Sequence, residues 1–440
     1  MGVLPIGKLV ISMSAPLVAS MLFQALYNVV DSMFVARLNQ DALNAVSLAF
    51  PFQMFVMAFA NGTGVGMNAL LSRSLGEKNR ERASKAANTG IFCFILMSVV
   101  FGILGVSCAN LFFRLQTANK GIIDYGTAYV TVCIGCSFGL FGQISGERLL
   151  QSTGRTDLAM IPQIAGAVFN MIFDPLLIFG IGPFPRLEVQ GAAVATLGGQ
   201  ILATVIAYTL NLKKNKEIEL NWREIRPHGA TIREIYRIGT ASILMQAVGS
   251  LTNFAINNIL IRFTEAATAV YGAYFKLQSF VFLPVLGMNN ATVPIVAYNY
   301  GAGKAERVKK TTRFVILLAI GIMTAGCLLF ELIPATLLKI FSPTEEMISV
   351  GRIAFRLIAI SFPLAGFCII SGSVCQALGK PLYMLITSLC RQVVALLPTA
   401  YLLSLSGRLD MVWLAYPLAE IVSLVLSAIF LKKTMKMLNA

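Results

Sequence analysis

The chain is short of charge. Of its 440 residues, 12% are Asp, Glu, Lys or Arg, against the ~25% usual in soluble domains. It has one histidine, His228, and two tryptophans. A histidine-based metal centre or a Ser-His-Asp triad therefore has almost nothing to draw on. The three Gly-Lys pairs, Gly7-Lys8, Gly303-Lys304 and Gly379-Lys380, are followed by Leu, Ala and Pro rather than Ser or Thr, which excludes a Walker-type phosphate loop. Long polar stretches are missing apart from residues 212–235, so neither intrinsic disorder nor a coiled coil fits. Paired cysteine motifs are also missing. Cys133-x-x-Cys136 has metal-like spacing, but no second pair matches it and all eight cysteines fall in or beside apolar runs. They read as packing thiols, and a disulfide scaffold is excluded.

Apolar residues are what the chain has. They make up 57% of it, with 29 Phe, and the mean hydropathy is +0.75. No water-soluble globule hides that much apolar surface, so the solvent is the lipid bilayer. Twelve runs are long enough to cross it: 10–36, 43–72, 87–113, 124–147, 158–180, 189–211, 236–261, 267–299, 312–341, 351–376, 382–404 and 412–431. The first run is too long for a signal peptide and lacks a cleavage site. The net charge of +15 sits in clusters between the runs, which points to membrane orientation rather than to nucleic acid. One set of loops carries 24 Lys and Arg, including Lys78, Arg82, Lys213 and Arg307, and the other set carries 8. The basic side and both termini are therefore expected in the cytoplasm. The fold class expected is an all-α membrane protein.

A shift of 225 positions superposes one half of the sequence on the other. Asn28 falls on Asn253, Gln53 on Gln278, Gly62 on Gly287, Arg82 on Arg307, Gln151 on Gln376 and Gly154 on Gly379. Six crossings per half is an even number, so the two six-helix bundles are expected to be parallel repeats about a pseudo-twofold along the membrane normal, a transporter plan. The expected division is an N-terminal lobe over 1–211, a cytoplasmic linker over 212–235 and a C-terminal lobe over 236–440. Gly62-x-Gly64-x-Gly66 looks like a nucleotide fingerprint, but within an apolar run it reads as a close helix contact.

Ionisable groups inside a span are functional candidates. Asp31 lies deep in the first, and Gln24, Asn28 and Asp31 share a helical face. In the fifth span Asn170 and Asp174 lie four apart on one face, followed by Pro175, which frees a backbone carbonyl. Two carboxyls and an amide oxygen suit a hard monovalent cation, and they equally suit a proton. The second half differs: the shift places Ile256 at Asp31 and Thr399 at Asp174. Coupling chemistry is thus expected in the first half, with both halves lining a substrate cavity. Gln24, Tyr27, Asn28, Gln53 and Gln163 are assigned to it from the first half, and Gln246, Asn253, Asn257, Lys276 and Gln278 from the second. Lys276 and Arg391 read as ion-paired, with Glu331 and Glu420 as the available acids. Glu147 and Arg148 read as an ion pair at the end of the fourth span.

Several stretches carry a family likeness: Pro16 with Tyr27-Asn28-Val29-Val30-Asp31-Ser32-Met33-Phe34, then Glu147-Arg148-Leu149-Leu150-Gln151-Ser152-Thr153-Gly154, Asn170-Met171-Ile172-Phe173-Asp174-Pro175 and Gly191-Ala192-Ala193-Val194-Ala195-Thr196. Over nearly its whole length the sequence resembles the multidrug and toxic compound extrusion (MATE) transporters. The resemblance implies a cation site at Asp31, Asn170, Asp174 and Thr196, the last of which spacing alone does not select. If the ion is Na+, these four are its metal ligands. The resemblance also implies a secondary antiporter, not an enzyme, that exports small organic cations or drugs in exchange for H+ or Na+. No cofactor is expected, no nucleic-acid partner, and a monomer within the cytoplasmic (inner) membrane. The acid that one branch of the family has in its seventh helix is not matched. The alternative is a flippase for an anionic lipid-linked precursor, motivated by Lys276 and Arg391. A major-facilitator uniporter shares the plan, but its Gly-x-x-x-Asp-Arg-x-Gly-Arg-Arg loop is absent: the matching loop reads Ser72-Arg73-Ser74-Leu75-Gly76-Glu77-Lys78.

Overall fold

The computed structural model describes residues 1–341 and 343–438. Those residues are overwhelmingly helical. The first six passes are α1 (Ile6–Ala36), α2 (Gln40–Gly76), α3 (Arg80–Arg114), the bent pair α4 (Lys120–Cys133) and α5 (Phe138–Ser152), α6 (Thr156–Phe179) and α7 (Val189–Lys214). The next six are α8 (Gly229–Leu260), α9 (Glu265–Gly301), α10 (Ala305–Leu332) with the short α11 (Pro334–Lys339), and the bent pair α12 (Glu345–Ala359) and α13 (Phe362–Ala377). They finish with α14 (Pro381–Leu389), which runs through a π-helical turn into α15 (Leu397–Ser404), and α16 (Leu409–Trp413) with α17 (Ala415–Lys436). Among the described residues nine helices are long and apolar enough to cross a membrane, and the two bent pairs make eleven. The twelfth pass is α8. It has 32 residues, ample length at 1.5 Å per residue, but Gln246, Asn253, Asn257 and Asn258 dilute its apolar character.

Local chemistry sets the ends. Asn39, Asn79 and Asn119 cap α2, α3 and α4, each side-chain oxygen accepting from a backbone N–H of the first turn, the role short polar side chains fill at helix starts. Gly180 closes α6 in the left-handed conformation. The fourth and tenth passes are broken rather than continuous helices. They bend by 42° and 45°, at 134–137 and 360–361, which are equivalent positions of the repeat. Gly135 allows the first break, because a side chain there would strike the Thr131 carbonyl. Pro363, which lacks an N–H, begins the helix after the second.

The described chain forms two compact units, Pro16–Thr240 and Met1–Ala15 with Ala241–Ala440. The divisions fall inside α1 and α8, before Pro16 and before Ala241, again 225 apart. In the first unit Phe94, Phe101, Phe113 and Phe141 are buried around Met67 and Leu71. In the other, Tyr274, Phe330, Phe355 and Phe362 form an aromatic core with ring centroids 5.2–6.4 Å apart. The outward faces are apolar: Ile95, Val99, Ile103 and Val106 make an exposed stripe down α3, as a lipid-facing helix requires.

Close helix contacts use the glycines. A side chain at Gly66 would run into the Ile235 carbonyl, and a Cβ at Gly239 would sit 2.5 Å from the Gly62 carbonyl oxygen. The glycine run of α2 is therefore a packing surface for the first turns of α8. The same end of this unit is held by Arg82, which donates to Glu77 at 2.9 Å and Glu234 at 3.0 Å. In the other unit the repeat partner Arg307 donates to the carbonyls of Met1 and Leu4, while Lys304 donates to Gly2 at 2.9 Å. Each unit thus uses the same arginine position to hold the opening turns of the helix that belongs to the other repeat.

Candidate functional site

Three helices of the Pro16–Thr240 unit converge on one buried polar cluster. α1 brings Asp31, α6 brings Asn170 and Asp174, and α7 brings Thr196. Asp31 is 8% exposed, Asn170 3% and Asp174 0%, and Thr196 is half-buried. Asn170 organises the cluster. Its Nδ2 donates to Asp174 Oδ1 at 3.2 Å and to Thr196 Oγ1 at 3.0 Å. The carboxyls of Asp31 and Asp174 come within hydrogen-bond range of each other. Ionised carboxylates are acceptors without donors, so two of them in such contact need a proton or a cation between them.

The remaining oxygens define what the cluster can hold. Asp31 Oδ1, Asn170 Oδ1 and Asp174 Oδ2 are all buried, and none has a hydrogen-bond partner within the protein. A buried acceptor without a donor costs about 1–3 kcal/mol, and three together are a strong demand for a positive ligand. Carboxylate and amide oxygens suit hard cations. The donor set fits one Na+, and the neighbouring carboxyls fit one proton equally well. Among the described residues no group of three His, Cys, Asp or Glu forms a metal centre.

On α1 the polar face runs Gln24, Tyr27, Asp31. Gln163 of α6 donates to Gln24 Oε1 at 2.7 Å. Tyr27 lies beside Gln24 and close to both acids. Asn28 instead is exposed, so the structure draws Tyr27 rather than Asn28 toward the acids. Gln53 donates to the hydroxyl of Tyr129 on α4 at 3.2 Å. Tyr129 is buried, near Asp31 and Tyr27, and sequence reasoning missed it. A tyrosine inside Ala128-Tyr129-Val130 reads as packing, and no spacing marks it out.

The other assigned residues lie in the second unit. Asn253 accepts from the Tyr271 hydroxyl at 2.9 Å. Gln246 and Asn257 are exposed on α8, and Gln278 is half-buried on α9. One of the expected ion pairs is corrected. Lys276 is exposed and lies over the Phe341 ring at 5.9 Å, while Glu331 faces Arg356. Glu147 and Arg148 are adjacent on α5, each within electrostatic reach of the other. Glu147 accepts from Gln143 at 2.9 Å, and Arg148 donates to Gln151 at 3.0 Å and Asn61 at 3.3 Å. The Arg391–Glu420 pair is present at 3.1 Å. All eight cysteines are free.

The MatE family model matches residues 16–176 and again 241–402. The two matches begin 225 residues apart, at the same positions where the structure divides α1 and α8. The chain is 27% identical over 417 residues to the FAD transporter of Shewanella oneidensis, covering 95% of this chain and 92% of that one. It is 25% identical to the multidrug export protein MepA of Staphylococcus haemolyticus, covering 93% and 89%. Among solved structures, a MOP superfamily transporter from Pyrococcus furiosus superposes with a TM-score of 0.92 at 25% identity, over 98% of this chain and 96% of that one. The double match, spanning most of both repeats, places this integral membrane protein in the MATE family of transporters.

Proposed function

We propose that the chain is a cation-coupled antiporter that exports small organic molecules, organic cations above all, across the cytoplasmic membrane. The observation that carries this reading is the buried carboxyl pair with three unpartnered oxygens around it. A scaffold with no transport cycle would have no use for so costly an arrangement. H+ or Na+ entering from outside neutralises Asp31 and Asp174, and this favours release of substrate outward. Departure of the ion into the cytoplasm restores the charged pair and resets the site. Pro16, at the division within α1, is the natural bend point through which Asp31 reports its charge state. The energy suffices: one charge moved across 100 mV is worth about 2.3 kcal/mol, roughly a fifty-fold substrate gradient.

The likeness to a multidrug export protein supports a broad range of drug-like substrates. That to an FAD transporter extends the range toward larger aromatic molecules bearing phosphate. The basic loops support a cytoplasmic side for both termini. The test is ethidium efflux from liposomes holding the purified protein, with a pH gradient and a Na+ gradient imposed separately. One of the two gradients is expected to drive uphill efflux and so to name the ion. Efflux indifferent to both would contradict coupling.

A further inference from the structure

The second unit holds a charge pair of its own, joining two passes near their middles. Arg391 Nη1 lies 3.1 Å from Glu420 Oε2, and the two ends of this bridge are unlike. The Glu420 side chain is 6% accessible, whereas that of Arg391 is 39% accessible. A guanidinium has five N–H donors, and among the described residues Arg391 uses them in one hydrogen bond, to Glu420. Tyr274 of α9, Cys368 of α13 and Tyr416 of α17 stand around the pair. None of these neutral groups answers the remaining positive face. Glu420 Oε1 is itself buried without a partner, so the pair is mismatched on both sides.

The backbone is arranged to present this arginine. Arg391 is the second residue of a π-helical turn, Cys390–Leu396, after which the Leu397 N–H reaches back to the Gln392 carbonyl. Pro398 follows and cannot donate to the Val394 carbonyl. Such widened turns cost helix hydrogen bonding and are frequent at functional sites.

We infer that Arg391 is an anion-accepting subsite. A carboxylate or phosphate group binds the accessible face of its guanidinium, and the charge of Glu420 works against that binding. This rests on the exporter reading and deepens it: the substrates include zwitterions and anions, with the anionic group held in this unit. The chemistry is the same for a soluble substrate and for a lipid headgroup.

The test is binding to purified full-length protein in neutral detergent, read by fluorescence quenching of riboflavin and of flavin mononucleotide. These share one ring system and differ by a phosphate. Wild type is expected to bind the phosphorylated flavin about tenfold more tightly. Arg391→Gln removes that preference and leaves riboflavin unaffected. Glu420→Gln strengthens it by about tenfold, a gain that misfolding cannot produce. A merely structural ion pair predicts that both variants weaken both flavins alike, and that result overturns the inference. Equal affinity of wild type for the two flavins, or absence of mononucleotide binding to wild type and Glu420→Gln, overturns it too. Repeating the measurement in nanodiscs of phosphatidylcholine with and without phosphatidylglycerol separates the sources: displacement by the anionic lipid identifies a headgroup, and its absence a soluble substrate. No transport is measured here, so a failure of coupling would appear separately, in the efflux experiment.

Discussion

Asn170 governs the geometry of the carboxyl site. Its amide nitrogen ties Asp174 on its own helix to Thr196 on α7, and this holds its oxygen beside the acids. Thr196→Val removes one anchor without removing a carboxylate. Outer partners of ion ligands typically contribute 10–100-fold in affinity. The half-saturating concentration of the coupling ion should therefore rise about tenfold while expression stays normal, measured as initial efflux against ion concentration. Asn170→Ala, which loses the unpartnered buried oxygen and both hydrogen bonds, should be more severe in the same assay. Asp31 and Asp174 were legible in the sequence because a carboxyl inside an apolar run is rare and expensive. Asn170 followed from its i, i+4 spacing. Thr196 was not legible from spacing, since a threonine in a membrane helix usually bonds its own backbone, and it needed the family resemblance. Tyr129 gave no signal at all, and the turn of α1 that favours Tyr27 over Asn28 was below the resolution of a helical wheel.

Helices in this protein meet through glycine, and the contacts are unequal in what they tolerate. A side chain at Gly66 would collide with the Ile235 carbonyl, whereas Gly272 on α9 has nothing within 4 Å. Gly66→Ala should force α2 and α8 apart, at a cost of at least about 1–3 kcal/mol, seen as a lower melting temperature in detergent. Gly272→Ala should be neutral or stabilising by about 0.5–1 kcal/mol, because alanine is the better helix former. Equal effects of the two would refute the packing role. Backbone demands follow the repeat as well. Gly154 and Gly379 both turn at positive φ, 81° and 78°. Lys78 takes φ 57° where its repeat partner is Gly303 at 69°. Gly303→Ala, with open space around it, should therefore lose about 1 kcal/mol from backbone strain alone, visible in the same melting experiment. All twelve passes were readable from apolar length. The bends in the fourth and tenth were not, because hydropathy continues unbroken across 134–137 and 360–361.

At the scale of the whole molecule, the repeat is the organising fact. One offset relates the polar matches in the sequence, the divisions within α1 and α8, the two bends and the two family matches. The repeats have diverged in their chemistry: one unit holds a carboxyl pair, the other Arg391 with Glu420. The loop charges predict both ends of the chain in the cytoplasm. Green fluorescent protein at either terminus should fluoresce in cells, and alkaline phosphatase at either should be inactive. An active phosphatase fusion would reverse the orientation. The central claim is that Asp31 and Asp174 couple ion entry to export, and the most direct measurement compares wild type with Asp31→Asn in one liposome preparation. Ethidium movement is followed first down its own gradient and then uphill under the driving ion gradient. The account predicts that Asp31→Asn retains downhill movement and loses uphill accumulation. A mutant that builds the same ethidium gradient as wild type would contradict it.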